Sequence, residues 1–404
     1  MPGRESAGKG RGTPLVGIEE VVAFRVDAHN LRERLPEQRL HEMAGACGVQ
    51  NSPPGSALVA LHARVCDMSQ GMMDAAIEGE RSLLQTWSMR GAPFFFPTVD
   101  SAVFTTGVLP EGEAARRRFI RGVEGALDEL AMSLGEAVEL IEAEVQDVLS
   151  GRQLALNELG VELGERIAPK LSPTRRKLWQ GAGTSPLSKR VVHFCLRILA
   201  LKQIICFAPR KDNKAPFVLV EEWLGERLPN VDRDAARAEL TRRYLRCYGP
   251  STRKDFASWL GIAAAHAQPW WLLVEEELRE VDFAGSKAWI LADDLDILRS
   301  PPSPRGLRLL PPHDPFIQQR DRRTLVPDRK LHPKIWKLVG APGTALHDGR
   351  PVATWRSRRS AETLSITVQP LDSLTPRQRE RIKDEAESIA GLRGCPTTDV
   401  EFAS

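Results

Sequence analysis

The sequence lacks long apolar runs and clustered cysteines. No run approaches the ~20 apolar residues that a helix needs to cross a bilayer, and the chain does not open with a signal peptide. The six cysteines include no CxxC pair and stand near no HxxxH motif, which argues against structural zinc and a disulfide framework. We therefore expect a cytoplasmic protein with reduced thiols, no membrane partner and no metal.

Familiar catalytic motifs are missing as well. The chain has no GxxxxGK loop completed by Ser or Thr, no GxGxxG after a strand, no HExxH and no GxSxG. Its eight histidines are dispersed and form no recognisable nucleophile pair or metal cluster. We therefore expect a protein that works without a cofactor.

What the sequence does have is segregated charge, although its net charge is only +3. Carboxylates concentrate in 124–146 and 275–282, away from most of the basic clusters. A surface that binds phosphate groups needs this separation of charge. Each basic cluster taken singly is equally consistent with a solvated helix face. The clusters lie at 116–118, 175–177, 189–190, 210–214, 242–246 and 253–254.

The chain of 404 residues is long enough for about two to four domains. Residues 1–16, rich in Gly, Ser, Pro, Lys and Arg, predict a disordered arm. Residues 17–110 predict a first unit of helices and short strands. Its helices are predicted at 20–33, 37–47 and 56–66, with a helical continuation at 72–84 and a strand at 94–96.

An apolar stripe marks the segment that follows. Its members recur every three or four residues, which predicts a long helix, or a kinked pair, connecting domains across 111–160. We expect the stripe to be buried. Its members are Ile120, Val123, Leu127, Leu130, Leu134, Val138, Ile141, Val145 and Val148.

A pattern of helices followed by a β-hairpin then begins, in a predicted second unit over 161–230. Helices are predicted near 160–168, 173–180 and 188–202. The hairpin after them has a basic turn at 210–214.

The same order returns in a predicted third unit over 231–300. Helices at 234–248 and 251–259, and another that runs to about 277, precede a hairpin over 278–291. This is the order of a winged helix, whose third helix enters a major groove and whose hairpin touches a flanking phosphate or the minor groove. Winged helices also bind proteins, and the basic turns are what favours DNA.

Residues 301–404 predict a small β-domain followed by a last helix. Leu364, Ile366 and Val368 alternate as strand residues, and Thr375-Pro376 is a typical helix start. The predicted fold class is therefore α+β, with tandem winged-helix units ahead of a C-terminal β-domain.

Several segments resemble the winged-helix DNA-binding family that includes the AlkZ and YcaQ (AlkX) DNA glycosylases. The resemblance covers most of the chain, and it rests on the order and spacing of short pieces. These are 48–54, Ala63-Arg64, 86–93, Arg243-Tyr244, 249–261, 309–316, Asp321-Arg322, Asp348-Gly349-Arg350 and Thr354-Trp355.

The resemblance implies a C-shaped molecule, closed by a β-barrel-like domain, that cradles duplex DNA and removes alkylated purines, including cross-linked ones. The family's catalytic signature is Gln, an apolar residue, then Gln or Asp. The matching positions here are Gln50, Asn51 and Ser52, so the last residue departs from the signature. A second departure is Phe94, where relatives usually carry His after the Arg-Gly pair.

These departures bear directly on the chemistry. An alkylated purine already carries positive charge and leaves readily, so an amide can suffice to orient water. A carboxylate at the third position would stabilise the sugar cation, whereas Ser52 is shorter and uncharged. The turn 50–54 is also an ordinary capped turn when the family is set aside, with Ser56 available to cap the helix that follows.

The leading hypothesis is a monomeric, cofactor-free protein of the AlkZ-like group that recognises or excises alkylated purines in duplex DNA, nucleoid-associated when bound. Gln50 and Ser52 are the predicted catalytic residues, and Asp314 and Arg322 a predicted supporting pair. The alternative is a non-enzymatic DNA-binding protein or regulator that has lost the catalytic pair. Arg90 stays open between a buried support and a phosphate contact. The predicted DNA-contacting residues are Arg90, Lys189, Arg190, Arg210, Lys211, Lys214, Arg253 and Lys254.

Overall fold

The computed structural model describes residues 13–120, 122–181, 186–210 and 214–403, in which helical layers alternate with short β-sheets. The predicted α+β fold class is confirmed. Most of the predicted disordered arm, residues 1–12, lies outside the described residues, as does Lys211. Strand β1 (Leu15–Val16), however, pairs in parallel with residues 282–283 and buries Val16. Disorder was therefore the wrong prediction there, because backbone pairing at an open sheet edge orders these two residues.

The N-terminal segment (15–104) is built around a three-stranded sheet of order β2-β4-β3. The predicted strand at 94–96 lies inside β4, but the predicted helical continuation to 84 is wrong. Helical structure ends at Gly79, and Arg81, with φ 53°, turns the chain into β3. The elements are α1 (Ile18–Ala28), α2 (Leu40–Cys47), β2 (Val49–Gln50), α3 (Ser56–His62), α4 (Gln70–Asp74), β3 (Leu83–Trp87), β4 (Pro93–Pro97) and α5 (Ser101–Phe104).

The apolar stripe spans three helices instead of one long helix or a kinked pair: α6 (Glu113–Phe119), α7 (Glu124–Glu129) and α8 (Leu134–Leu149). The breaks come at Gly122 (φ 103°) and Ala131 (φ 46°), and the Ser133 hydroxyl then accepts a 3.0 Å hydrogen bond from the Glu136 amide to start α8. Every member of the stripe is at most 8% exposed. The buried face was therefore predicted correctly, while left-handed residues and a helix cap divide the helix.

The rest of the middle segment (113–224) has the predicted order of helices and hairpin. Ser172 caps α10, and Trp179 Nε1 donates a 2.8 Å hydrogen bond to the carbonyl of Gly164, which joins α10 to α9. β5 and β6 are antiparallel, with Ile205 opposite Leu219. The elements are α9 (Leu156–Ile167), α10 (Pro173–Gln180), α11 (Leu187–Leu201), β5 (Ile205–Phe207), β6 (Phe217–Leu219) and α12 (Val220–Leu224).

The third segment (233–299) repeats that order. The Thr252 hydroxyl caps α14 by accepting a 3.1 Å hydrogen bond from the Asp255 amide, and Gly261 ends the helix with φ 97°. The predicted helix to 277 is shorter, since only Gln268–Leu272 is α-helical and 3₁₀ turns flank it. The elements are α13 (Arg233–Tyr248), α14 (Arg253–Leu260), α15 (Gln268–Leu272), β7 (Leu278–Phe283), β8 (Ser286–Leu291) and α16 (Leu295–Arg299).

The C-terminal segment (307–402) is an open sheet of order β13-β12-β11-β10-β9. The predicted barrel-like closure is wrong for the described residues, because β9 and β13 pair on one side only. The last helix packs on one face, where Ile382 and Ile389 share a core with Ile366. The elements are β9 (Leu307–Leu310), α17 (Arg322–Leu325), α18 (His332–Ile335), β10 (Gly343–His347), β11 (Arg350–Ser360), β12 (Thr363–Pro370), α19 (Pro376–Leu392) and β13 (Thr397–Phe402).

Candidate functional site

Gln50 is the last residue of β2 and lies opposite Phe94 of β4. Its side chain is only 7% exposed, and its Oε1 accepts a 3.0 Å hydrogen bond from Nη2 of Arg90. The orientation of the amide is therefore fixed by a charged donor. Its Oε1 keeps a second lone pair that can accept a further hydrogen bond.

Arg90 lies in the turn between β3 and β4, in the left-handed region with φ 59°. Its Nη1 donates to the carbonyl of Trp259 near the end of α14, and its guanidinium carbon lies 5.6 Å from the centre of the Phe94 ring. Burial, together with the like charge of Arg320, lowers the pKa of Arg90 to about 9. Arg90 therefore remains a cation at neutral pH and joins the Gln50 strand to the third segment.

The start of the helix that follows Gln50 is held by the side chain of Asn51, and not by Ser56. The Asn51 Oδ1 accepts hydrogen bonds from the backbone amides of Gly55 (2.8 Å) and Ala57 (3.3 Å), which holds the start of α3. Ser52 is partly exposed and lines a cleft with a volume of about 420 Å³. The three signature positions therefore have different surroundings: the Gln50 amide is fixed by Arg90, Asn51 holds the start of α3, and the Ser52 hydroxyl lines the cleft.

The cleft lies between this turn and the C-terminal sheet. Among the described residues that line it, His313, Arg356 and Arg393 are basic and none is acidic. Arg393 donates a 2.8 Å hydrogen bond to Ser357, and burial lowers its pKa. A cleft of this charge suits an anionic ligand such as a nucleic-acid backbone.

Arg320 extends this positive region towards Arg90, and His313 lies close enough to both for their charges to act on its ring. Burial, and then the charges of Arg90 and Arg320, lower the pKa of His313. Its Nδ1 lies 3.1 Å from the Gln318 amide nitrogen, and a neutral ring that accepts there carries its proton on Nε2. Burial also lowers the pKa of Arg320, whose Nε has no hydrogen-bond partner within the described chain. A phosphate oxygen would satisfy this buried donor.

The predicted Asp314–Arg322 pair does not form. Asp314 instead makes two 2.8 Å hydrogen bonds with Arg64, and both residues are buried. The Arg322 guanidinium lies 5.0 Å from the centre of the Trp336 ring. The prediction was wrong because Arg64, distant in sequence, reaches Asp314 with the forked geometry that a carboxylate prefers.

The other predicted DNA contacts are spread over the surface. Lys189, Arg190, Arg253 and Lys254 are exposed in the first turns of α11 and α14. Arg190 lies 3.5 Å from the carbonyl of Gly122.

The basic turn 210–214 is described only at its ends. Arg210 lines a separate cavity of about 250 Å³ beside the β5–β6 hairpin. Lys214 lies 3.3 Å from Glu158, so its charge is already partnered. This ion pair weakens the case for a phosphate contact there.

Sequence reasoning missed the basic residues that the tertiary structure collects around the cleft: Arg320, Arg356 and Arg393. It also missed Arg197 of α11, whose guanidinium stacks on Phe194 at 4.9 Å and whose Nε is buried without a partner in the described structure. Arg320 and Arg356 stand in the basic runs 320–323 and 356–359, whereas Arg197 and Arg393 stand alone. In neither case does the sequence say which arginine the fold buries or brings to the cleft.

Comparison with known proteins was made on sequence and on fold. The model of the AlkZ-like DNA glycosylase family matches residues 43–392. An interstrand DNA cross-link repair glycosylase of Streptomyces sahachiroi is 25% identical over 388 residues, covering 93% of this chain and 96% of that protein. The solved structure of Streptomyces sahachiroi DNA glycosylase AlkZ superposes with a TM-score of 0.75 at 22% identity, covering 96% of this chain and 100% of that one.

Within the described chain, no helix combines the length and apolar character needed to span a membrane. The family match covers most of the chain and includes Gln50, the cleft and the C-terminal sheet. The chain therefore belongs to the AlkZ-like DNA glycosylase family.

Proposed function

We propose that this protein hydrolyses the N-glycosidic bond of alkylated purines in duplex DNA. The observation that carries the proposal is the Gln50 amide, which Arg90 holds two residues before Ser52, and Ser52 opens into the cleft. Gln50 Oε1 accepts a hydrogen bond from the attacking water, and the Ser52 hydroxyl holds the same water from the cleft side. An amide fixed in this way orients water without having to remove its proton beforehand.

The reaction needs little more from the protein when the base is cationic. Water adds to C1′ of the sugar while the bond from C1′ to the purine nitrogen breaks. The electron pair of that bond goes to the base and neutralises the charge that alkylation placed on it. The water loses its proton to solvent as the sugar hydroxyl forms.

The chemistry of the cleft also sets a limit on substrates. An oxocarbenium-like transition state gains most from a nearby carboxylate, and none of the described residues lining the cleft provides one. An unmodified purine, whose departure needs strong stabilisation of the cation, is therefore a poor substrate. We expect activity only on bases that carry positive charge, such as 7-methylguanine.

Binding to the duplex rests on the tandem units, which we propose to be winged helices over 17–110, 161–230 and 231–300, with a C-terminal unit over 301–404. The exposed residues in the first turns of α11 and α14 face phosphates in this arrangement. Arg320, with its unpartnered Nε, binds a phosphate nearest the cleft.

An apolar tip lies beside the cleft and fits the same proposal. Leu338 and Val339 are 99% and 85% exposed, and the next residues, Gly340 to Gly343, line the cleft. Lys334 and Lys337 precede the tip. Apolar side chains flanked by cations are what architectural proteins insert between base pairs, and a base removed from the stack can enter a cleft.

The named relative repairs interstrand cross-links, so we include a cross-linked duplex among the proposed substrates. Release of free base is measured from duplexes that carry 7-methylguanine, a cross-link or no lesion. Release that Gln50→Ala abolishes and Gln85→Ala preserves supports the proposal, since Gln85 is a half-buried glutamine on the neighbouring strand β3. No release from any alkylated duplex that the protein binds tightly contradicts it.

A non-enzymatic DNA-binding protein is the second candidate, because Ser52 departs from the family signature and Phe94 stands where relatives usually carry His. Equal affinity for damaged and undamaged duplexes, with a steep dependence on salt, would favour this alternative. We propose that either form acts as a monomer.

A further inference from the structure

Three side chains with metal-binding atoms meet in the core beneath the N-terminal sheet. Cys47 ends α2, Cys247 lies near the end of α13, and His29 immediately follows α1. A nitrogen of His29 and the two sulfur atoms all lie within 4.8 Å of one another. The three residues are 2–4% exposed. Their spacing along the chain, 18 and 200 residues, matches no sequence motif, so only the fold brings them together.

The His29 ring adds an observation that ordinary packing leaves unexplained. Its Nε2 is buried and has no hydrogen-bond partner within the described residues. The ring is held edge-on by Tyr248 and Phe316, with centroids 5.1 and 5.5 Å away. Buried ring nitrogens are nearly always paired, so an unpaired one on a ring that lies beside two thiols points to a missing partner.

We propose that His29, Cys47 and Cys247 bind a single zinc ion. Two thiolates and a neutral imidazole are soft donors that suit zinc, and three protein ligands leave a fourth position for water. Binding deprotonates both thiols and releases two protons, so that the ion and two thiolates carry no net charge. A neutral complex avoids the cost of burying an isolated charge.

The surroundings provide an entry path and a candidate fourth ligand. Cys247 lines a groove of about 370 Å³ that gives access from the surface, and the groove residues Asp100 and Glu239 are both paired with Arg243. On the buried side, the Tyr248 hydroxyl lies 3.7 Å from the Cys47 sulfur and donates a 2.8 Å hydrogen bond to the Pro315 carbonyl. The fourth position can be filled by water from the groove or by this hydroxyl.

The ion would fix the helices on which the candidate site is built. Cys47 precedes Gln50 by three residues, and only Gly48, with φ 71°, and Val49 lie between them. Zinc would therefore hold the end of α2 against α13 and limit movement of β2. The zinc proposal does not depend on glycosylase activity, and its test measures metal directly.

The full-length chain is purified under reducing conditions, incubated with zinc and desalted, and its metal content is measured. We expect one zinc per chain, a rise in melting temperature with zinc that a chelator reverses, and thiolate-to-metal charge-transfer bands when cobalt replaces zinc. Cys47→Ser and His29→Asn each weaken zinc binding by at least about tenfold. Cys195→Ser, at another fully buried thiol, retains it.

Wild-type protein that binds neither zinc nor cobalt overturns the proposal, as does equal binding by wild type and Cys47→Ser. A disulfide between Cys47 and Cys247 also overturns the proposal if no metal binds under reducing conditions. Without reductant, the mass of the protein would then be lower by two hydrogens. If a variant does not fold, the wild-type cobalt spectrum and zinc stoichiometry still decide the matter.

Discussion

The Nη2 atom of Arg90 donates a 3.0 Å hydrogen bond to Oε1 of Gln50, and these residues are 40 positions apart in the chain. β4 pairs with both β2 and β3, so the turn that contains Arg90 is held beside the end of β2. The candidate water-orienting amide is thus fixed by a cation that is itself anchored to the Trp259 carbonyl.

Arg90→Met should lower the single-turnover rate of base release by about 100-fold, because the Gln50 amide would lose its orienting donor. Duplex affinity should change much less. Arg90→Lys should recover part of the rate, since an ammonium reaches one acceptor but not two. Rates are measured with enzyme in excess, and melting temperatures verify folding. A purely structural role for Arg90 would show itself as a lower melting temperature of Arg90→Met, with duplex affinity lost in proportion to the rate.

Ser52→Asp should raise the rate on 7-methylguanine duplex by about tenfold, because a carboxylate at the cleft would stabilise the cationic sugar. Ser52→Ala should lower the rate, since the water loses one hydrogen-bond partner. Base release is followed at saturating enzyme, with Ser357→Asp as a comparison on the opposite wall of the cleft. An Asp variant no faster than wild type would show that Ser52 does not face the reacting sugar.

Arg320→Gln should reduce the slope of log affinity against log salt concentration by about one, the loss expected for a single phosphate contact. The control is Arg227→Gln, which removes an exposed cation already paired with Glu221 at 3.0 Å. Affinities for undamaged duplex are measured by fluorescence anisotropy between low and physiological salt. Equal slopes for the two variants would place Arg320 outside the DNA interface.

Asp314→Asn should lower the free energy of unfolding by about 3–5 kcal/mol, because it leaves Arg64 buried without a counter-charge. The exposed pair between Arg227 and Glu221 supplies the comparison, and Glu221→Gln should cost about 0–1 kcal/mol. Urea unfolding provides both values. Similar losses in the two variants would mean that the Arg64–Asp314 pair is not sealed from solvent.

His313 should make the folded protein less stable in mild acid. Because its pKa is lowered in the folded state, the unfolded chain binds the proton first, near pH 6.5. Stability is therefore lost as the pH falls through the unfolded value towards the folded one. His313→Gln should lose less stability than wild type between about pH 7 and pH 5. Urea unfolding at each pH tests this, and parallel curves would contradict it.

The repeated order of helices and hairpins could be predicted from periodicity and turn residues, since both are local properties. Thr252 and Gly261 are local signals of the same kind, and they mark both ends of α14 in the structure. Gln50 and Ser52 were found through resemblance, and the structure assigns them different surroundings. The division of the stripe at Ala131 could not be predicted, because alanine ordinarily favours a helix.

The sequence by itself determined the α+β class, the buried stripe, the family and the position of the candidate signature. Each of these depends on short segments whose residues are close together along the chain. Tertiary structure alone decided which polar side chains meet: Arg64 with Asp314, Arg90 with Gln50, and His29 with two distant thiols. Such contacts join residues tens to hundreds of positions apart. They depend on how sheets and helices pack, which no local pattern records.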